Sequence, residues 1–126
     1  MAVIGAAVAK ATELGIGVSV AVIDDGGHLV ALQRMDGAMP LSPPIAEGKA
    51  VAAAMFRRDG AAVLSMANDR QAFYAAVSGM ARTQIVPGPG SLPIQRDGIV
   101  IGAIGVSGGS PAQDLACAEA GLSALS

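Results

Sequence analysis

Large aromatic side chains are almost absent from this chain of 126 residues, which has no tryptophan, one tyrosine and two phenylalanines. Charged residues are also few, at 14% of the sequence, whereas 52% of the residues are hydrophobic. The core must therefore be built from Ala, Val, Ile, Leu and Met, which each bury little area. Because so few charges cannot cover the surface of a lone monomer, the composition predicts a homo-oligomer, a dimer or larger.

The charge balance and the cysteine content exclude several classes of protein. Eight basic and ten acidic residues give a net charge of −2, so the chain has no basic field to attract nucleic acid. A single cysteine, Cys117, cannot build an internal disulfide framework and is typical of a reducing compartment. No apolar run reaches the ~20 residues that span a bilayer, and the first residues lack the basic segment of a signal peptide. We therefore predict a cytoplasmic protein that contacts neither nucleic acid nor membrane.

Hydrophobic periodicity and turn residues predict alternating helices and hairpins. Helices are expected over 2–14, 43–58, 59–67, 68–78 and 110–124, and strands over 18–23, 28–34, 91–96 and 99–106, with a further short strand near 83–86. The helix N-caps are expected at Ser42, Asp59, Asn68 and Ser110. Tight Asp-Gly turns between the strands indicate antiparallel pairing. This order predicts an α+β layered fold in one domain, residues 1–126, and not a doubly wound sheet.

Four motifs follow one another in the order found in a known family. They are Asp-Asp-Gly-Gly at 24–27, Arg-Met-Asp-Gly-Ala at 34–38, Lys-Ala at 49–50 and Gly-Ala-Ile-Gly-Val-Ser-Gly at 102–108. With these motifs the chain resembles the GlcG/HbpS family of small haem-binding or haem-degrading-like domains, which also occur at the C-terminus of PduO-type proteins. The resemblance extends from the first helix to the last. It implies a profilin-like fold, with a roughly five-stranded antiparallel sheet flanked by helices, and an oligomeric protein that binds haem or another small molecule.

Lys49 is the most informative polar residue of the chain. Helical periodicity places it on the same face as Ala52 and Phe56, and that face should turn inward. A buried ammonium group must meet a carboxylate or lose its proton. Two interpretations stay open at this point. Lys49 is either a pocket cation that holds a ligand or acts as a base, or it is structural. In the structural case its charged end snorkels to the surface, or it forms an ion pair with Asp24 or Asp36 that fixes its helix to the hairpin.

Arg34, Met35 and Asp36 lie where the second strand ends, and loops at strand ends often carry binding residues. The Arg34 guanidinium is suited to a bidentate contact with a ligand carboxylate. We therefore predict a ligand pocket near these three residues and Lys49. The alternative is an enzyme, an isomerase, tautomerase or lyase, in which Lys49 with Asp36 or Arg34 transfers a proton on a carboxylated or carbonyl substrate. The sequence leaves open whether the protein is catalytic.

Ser91 and Pro93 are further candidates for ligand binding. The resemblance matches residues 87–94 to a family segment that is rich in glycine and ends in Pro-Ile, but this chain has Gly90-Ser91 where the family usually has two glycines. His28, the one histidine, is the candidate axial ligand for haem iron, although a lone histidine at a sheet rim is more often solvated and no family ligand maps to it. One histidine and one cysteine cannot make a zinc site alone, so no metal site is predicted.

Overall fold

Residues 2–125, which the computed structural model describes, form five helices and four strands. In chain order these are α1 (Ala2–Leu14), β1 (Ser19–Asp24), β2 (Leu29–Arg34), α2 (Ser42–Phe56), α3 (Gly60–Asp69), α4 (Gln71–Ser78), β3 (Ser91–Arg96), β4 (Ile99–Ser107) and α5 (Pro111–Ser123). The strands pair antiparallel in one sheet, in the order β2-β1-β4-β3. The predicted α+β class is confirmed.

The sheet has four strands rather than about five. The segment near 83–86, where a further strand was expected, is irregular and runs alongside α2. Its Val86 backbone N–H donates to the carbonyl oxygen of Gly48, so this segment is hydrogen bonded to a helix and not to the sheet. The count differs because this apolar segment finds its backbone partner in α2.

Helices cover both faces of the sheet and divide the core into two layers. On one face, α1 and α5 pack against the alternate strand residues Val20, Val22, Ile104 and Val106. On the other face, the alanine-rich middle of α2 and part of α3 pack against Ile23 and Ala103. Strand residues alternate between the two faces, so β1 and β4 are buried on both sides and both strands lie at the centre of the sheet.

Glycine allows α2 to lie directly on β4. A Cβ atom on Gly105 would overlap the carbonyl oxygen of Ala46 and approach the backbone nitrogen of Ala50. The helix surface that makes this contact consists of small residues, and Ala46 and Ala50 are fully buried. This close approach brings Lys49, which directly precedes Ala50 in the same helix, towards the end of β4.

Candidate functional site

Lys49 is enclosed within the protein. Its Nζ lies 3.0 Å from the Val106 carbonyl oxygen and 3.1 Å from Oδ2 of Asp114, in the first turn of α5. Lys49 is 9% exposed and Asp114 is 3% exposed. The second carboxylate oxygen, Oδ1, accepts the Gly109 backbone N–H at 2.8 Å. Both charged groups therefore have the additional hydrogen bonds that a buried ion pair needs to offset desolvation.

Lys49 turns inward as its periodicity predicts, but its partner is neither Asp24 nor Asp36. Asp114 lies 65 positions further along the chain, and the long-range packing of α5 over the end of β4 brings it to the lysine. Asp36 is exposed in the loop after β2, and Asp24 is hydrogen bonded within its own turn. The sequence expectation fails here because the fold pairs elements that are remote in sequence.

Arg34, Met35 and Asp36 lie at the outer edge of the sheet. Arg34 and Asp36 are exposed, whereas Met35 is half-buried, and its Sδ atom lies 3.5 Å from the backbone nitrogen of Val18. No hydrogen bond or ion pair joins these residues to Lys49, whose described polar contacts are Val106 and Asp114. The strand end is therefore a surface group, separate from the buried lysine.

Ser91 and Pro93 occupy the outer strand β3 but have different surroundings. The Ser91 hydroxyl is buried and has no hydrogen-bond partner among residues 2–125. A Cβ atom on Gly60 of α3 would overlap this hydroxyl, so α3 lies directly against it. Pro93 is half-buried and lines an open cavity of about 510 Å³. Ser91 is thus interior, and Pro93 is the one of the two that borders open space.

Two arginines that follow α2 border the same cavity. Arg57 ends the helix in a left-handed conformation, with φ of 56°, and its guanidinium donates to the carbonyl oxygens of Ala54 at 3.0 Å and Asp25 at 3.3 Å. That side chain is therefore engaged in joining α2 to the β1–β2 turn. Arg58 and Asp59 add further charge to the cavity wall. The wall also includes the apolar side chains of Leu92, Leu122 and Leu125, so it mixes charged and apolar groups, whereas a flat hydrophobic ligand requires mainly apolar walls.

A second cavity, of about 220 Å³, has mainly apolar walls and is called the apolar pocket below. Its apolar side chains are those of Val3, Val22, Ile23, Val30, Ile94, Ile101 and Leu125. Asp24 and Arg96 are the charged residues that line it. Arg96 was not predicted from the sequence, although an arginine at the end of a strand, directly before the Asp97-Gly98 turn, is a signal of the kind that singled out Arg34.

Asp24 organises the β1–β2 turn and holds His28 in place. Its Oδ1 accepts the backbone N–H groups of Gly26 and His28, each at 2.9 Å, and lies 3.1 Å from His28 Nδ1. These contacts, the backbone hydrogen bond from His28 foremost, hold the pKa of Asp24 below its usual value. Because a carboxylate only accepts, this contact requires a proton on Nδ1, and in the neutral form of the half-exposed imidazole Nε2 is then the acceptor.

Cys117 is unsuited to nucleophilic chemistry. Cys117 belongs to α5, and its side chain is fully buried in the core between that helix and the sheet. Burial raises the pKa of the thiol, and the negative charge of Asp114 raises this pKa further. Within residues 2–125, no three His, Cys, Asp or Glu side chains converge in a metal-binding group. The helices of that same range include none long and apolar enough to cross a membrane.

Comparison with known proteins places the chain in a family. The model of the family described as haem degrading protein HbpS-like matches residues 1–123. The chain belongs to this HbpS-like family. It is 40% identical over 107 residues to Protein GlcG of Escherichia coli K12, which covers 84% of this chain and 75% of GlcG. It is 31% identical over 120 residues to the corrinoid adenosyltransferase PduO of Citrobacter freundii, which covers 95% of this chain but 36% of PduO.

Solved structures of HbpS-like proteins share the fold along nearly the whole chain. A crystal structure of a PduOC–haem complex has a TM-score of 0.88 and 30% identity, covering 98% of this chain and 88% of that one. A crystal structure of HbpS has the same TM-score and 29% identity, covering 98% of this chain and 84% of the other. The resemblance to the GlcG/HbpS family and the fold that it implies are therefore confirmed.

Proposed function

We propose that this protein binds haem, or a closely similar flat molecule that carries carboxylates, and acts as a binding protein. The proposal is carried by membership of the HbpS-like family together with the PduOC–haem complex, whose fold covers 98% of this chain. A haem-type ligand needs apolar walls for its ring faces, a cation for its carboxylates and a donor atom for its iron. The apolar pocket offers the first two, and His28, which contacts the pocket residue Asp24, offers the third.

Each of these requirements has a candidate residue near the apolar pocket. Val22, Ile94 and Ile101 offer apolar contact, and the Arg96 guanidinium can pair with a carboxylate. Asp24 lines the pocket and also orients His28, which leaves the Nε2 atom of that imidazole available to iron. If haem binds here, Arg96 would hold a carboxylate of the ligand and His28 would offer its nitrogen to the iron. The donor set of this chain therefore fits the group.

The size of the apolar pocket limits how a ligand can lie in it. A volume of about 220 Å³ is below the roughly 300–1,000 Å³ of typical small-molecule sites. Only part of a tetrapyrrole would enter, and the remainder would lie against the exposed side chains of Val30 and Leu125 at the rim. We therefore expect modest affinity for haemin, derived mainly from apolar contact and not from His28 alone.

The strand end is the competing position for the same ligand. Arg34 offers an exposed guanidinium, and Met35 and Asp36 lie beside it. The exposed side chains of Met39 and Leu41 follow in the same loop and add apolar surface. Of the other predicted residues, Pro93 borders the larger cavity, whose wall mixes charged and apolar groups, and Ser91 is interior. We favour the apolar pocket because it is concave and the strand end is an open surface.

The surroundings of Lys49 do not favour the enzyme alternative. A general base must lie within hydrogen-bond reach of the proton that it removes. The Lys49 ammonium instead donates to Val106 and Asp114 inside the protein, and it has no described contact with Arg34 or Asp36. Proton transfer by Lys49 on a carboxylated substrate would require the ion pair to open, which nothing in the packing favours.

A haemin titration followed by absorbance tests the function and the position of the ligand together. For the unmodified protein we expect saturable binding with a Soret band. Arg96→Ala should bind haemin roughly tenfold more weakly, because a charge-assisted contact contributes about 1.5 kcal/mol. The matched control Arg34→Ala should bind haemin as the unmodified protein does. His28→Ala should retain binding but shift the Soret band, because the nitrogen that His28 would offer to the iron is lost. Absence of saturable binding by the unmodified protein would overturn the function. Loss of binding in Arg34→Ala but not in Arg96→Ala would move the site to the strand end.

A further inference from the structure

The cavity of about 510 Å³ that Arg58 and Pro93 border has no part in the proposed function. Its volume is within the roughly 300–1,000 Å³ of typical small-molecule sites. It lies over the outer strand β3, between the segment that follows α2 and the end of α5, and of its lining residues Leu125 alone also lines the apolar pocket. This cavity is therefore a second space large enough for a small molecule.

A neighbouring cavity of about 450 Å³ extends this space along α5. Leu92 and Leu122 line both cavities, and Glu119 and Ser123 complete the second one. The two cavities together are called the α5 groove below. At about 1.5 Å per helical residue, the groove extends roughly 9 Å along α5 from Glu119 to Leu125. Its shape suits a chain-like molecule.

Arg58 provides a free cation at one end of the α5 groove. Its side chain is exposed, and the ion pairs within residues 2–125 are all formed by other residues. The neighbouring charged groups are engaged: the Arg57 guanidinium donates to Ala54 and Asp25, and the Asp59 carboxylate caps α3. An arginine without an internal partner can take a carboxylate in a charge-assisted contact.

The rest of the α5 groove favours a single negative charge and an apolar chain. Leu92 and Leu122 are half-buried and pack on the core, so the groove between its two ends is apolar. Glu119 is exposed at the far end and would repel a second anionic group there. Asp59, beside Arg58, likewise disfavours a doubly charged head group.

Pro93 makes a peptide strand an unsuitable occupant. The Val106 N–H donates to the Gly90 carbonyl oxygen at 2.8 Å, and the register of β3 and β4 continues from this pair. Since bonded and non-bonded pairs alternate in an antiparallel ladder, the backbone of residue 93 faces outward, away from β4. A proline there has no N–H to offer, which prevents a further strand from pairing along this edge.

We propose that the α5 groove binds an aliphatic monocarboxylate. The carboxylate pairs with the Arg58 guanidinium, and the alkyl chain lies over Leu92 and Leu122 and points towards Glu119. The charge of the groove matches this ligand at both ends, because the cation is at one end and the acidic side chain at the other. The site is separate from the proposed haem position and does not depend on it.

A titration with sodium octanoate, followed by backbone amide chemical shifts, tests this site. We expect saturable shifts at Arg58, Gln95 and Leu122, and at least tenfold weaker binding of acetate, which lacks the apolar chain. Arg58→Ala should bind octanoate about tenfold more weakly, because a charge-assisted contact is lost. Arg82→Ala, at an exposed arginine outside the groove, is the matched control and should bind as the unmodified protein does. Shifts that do not saturate, or equal affinities of Arg58→Ala and the unmodified protein, would overturn the proposal.

Suberate tests the orientation of the ligand, since it carries a second carboxylate at the far end of the same chain. At low salt, suberate should bind severalfold more weakly than octanoate because its second carboxylate approaches Glu119. Glu119→Gln should remove most of this difference and leave the affinity for octanoate within twofold of its original value. A difference between the two ligands that persists unchanged in Glu119→Gln would contradict the assigned orientation.

Arg96→Ala separates this site from the proposed haem site. Arg96 lines the apolar pocket and not the α5 groove, so this variant should bind octanoate unchanged. Octanoate-induced shifts confined to Val30 and Ile101 would place the ligand in the apolar pocket and overturn the proposal. A protein that binds octanoate in the groove but never binds haemin would retain this site and reject the proposed function.

Discussion

Lys49 and Asp114 join α2 to α5 through a buried ion pair with 3.1 Å between Nζ and Oδ2. The two helices lie on opposite faces of the sheet, so the pair connects the two layers of the core around the end of β4. Asp114 is also in the first turn of α5, where the helix dipole favours a negative charge. The lysine that looks most catalytic in the sequence is thus a structural link between layers.

Removal of the Lys49 charge should destabilise the fold. Lys49→Met keeps most of the stem volume but leaves the Asp114 carboxylate buried without its cation, which typically costs about 3–5 kcal/mol. Thermal and urea unfolding of the variant measure this loss. The double variant Lys49→Met/Asp114→Asn should recover part of it, because no buried charge then remains unpaired.

Asp36, which the sequence suggested as a partner of Lys49, provides a control for the same unfolding experiment. Lys49→Met/Asp36→Asn should be as unstable as Lys49→Met alone, because Asp36 is exposed and has no described contact with the lysine. Recovery in the Asp36 double variant but not in the Asp114 double variant would contradict the assigned ion pair.

A methyl group at Gly105 should force α2 away from the sheet. The added Cβ would overlap the Ala46 carbonyl oxygen, which is backbone and cannot rotate aside. We expect Gly105→Ala to lower the free energy of unfolding by about 1–3 kcal/mol, the usual cost of overpacking. Gly5→Ala is the control, since Gly5 is an exposed helical position with open space around it, and it should gain about 0.5–1 kcal/mol. Equal stabilities of the two variants in urea would show that α2 does not pack as described.

Local patterns in the sequence predict most of the elements. The first helix and β3 have the predicted limits, 2–14 and 91–96. Asp59 caps α3 through the Ala62 N–H, and Ser110 forms the expected capping box with Gln113. These features depend on contacts within four residues, and for that reason the sequence alone suffices to predict them.

Long-range packing explains where sequence patterns fail. Ser42 has the position of an N-cap but lies within α2, and its hydroxyl contacts the Met39 carbonyl and the Ser19 hydroxyl of β1 instead. Asn68 likewise lies inside α3 and caps nothing. In the candidate site, the inward direction of Lys49 follows from helical periodicity. The identity of Asp114 as its partner does not, because the two residues lie 65 positions apart and only the packing of α5 against β4 brings them together.

The thiol of Cys117 should resist modification in the folded protein. The reactive form is the thiolate, and burial together with the Asp114 charge raises the pKa of this fully buried thiol. With an aromatic disulfide reagent at mildly alkaline pH we expect no labelling of the native chain and one thiol per chain after unfolding. Ser123→Cys, at an exposed position of the same helix, is the control and should react at once. Rapid labelling of native Cys117 would mean that α5 detaches from the core.

Acid should selectively remove the stabilisation that Asp24 gives to the β1–β2 turn. The pKa of Asp24 in the folded protein is lowered from its usual value of 3.8, mainly by the backbone hydrogen bond from His28, so folding favours the ionised carboxylate. The resulting stabilisation is present above pH 3.8 and is lost as the pH falls through the lowered pKa of the folded state.

The melting temperature of the unmodified protein should therefore exceed that of Asp24→Asn at neutral pH. The difference between the two melting temperatures should shrink towards zero once the pH is below the lowered pKa of Asp24. Asp25→Asn, at the next position of the turn, is the matched control and should show no such trend, since its carboxylate accepts none of these hydrogen bonds. A difference between the unmodified protein and Asp24→Asn that is constant down to strongly acidic pH would show that the charge of Asp24 does not hold the turn.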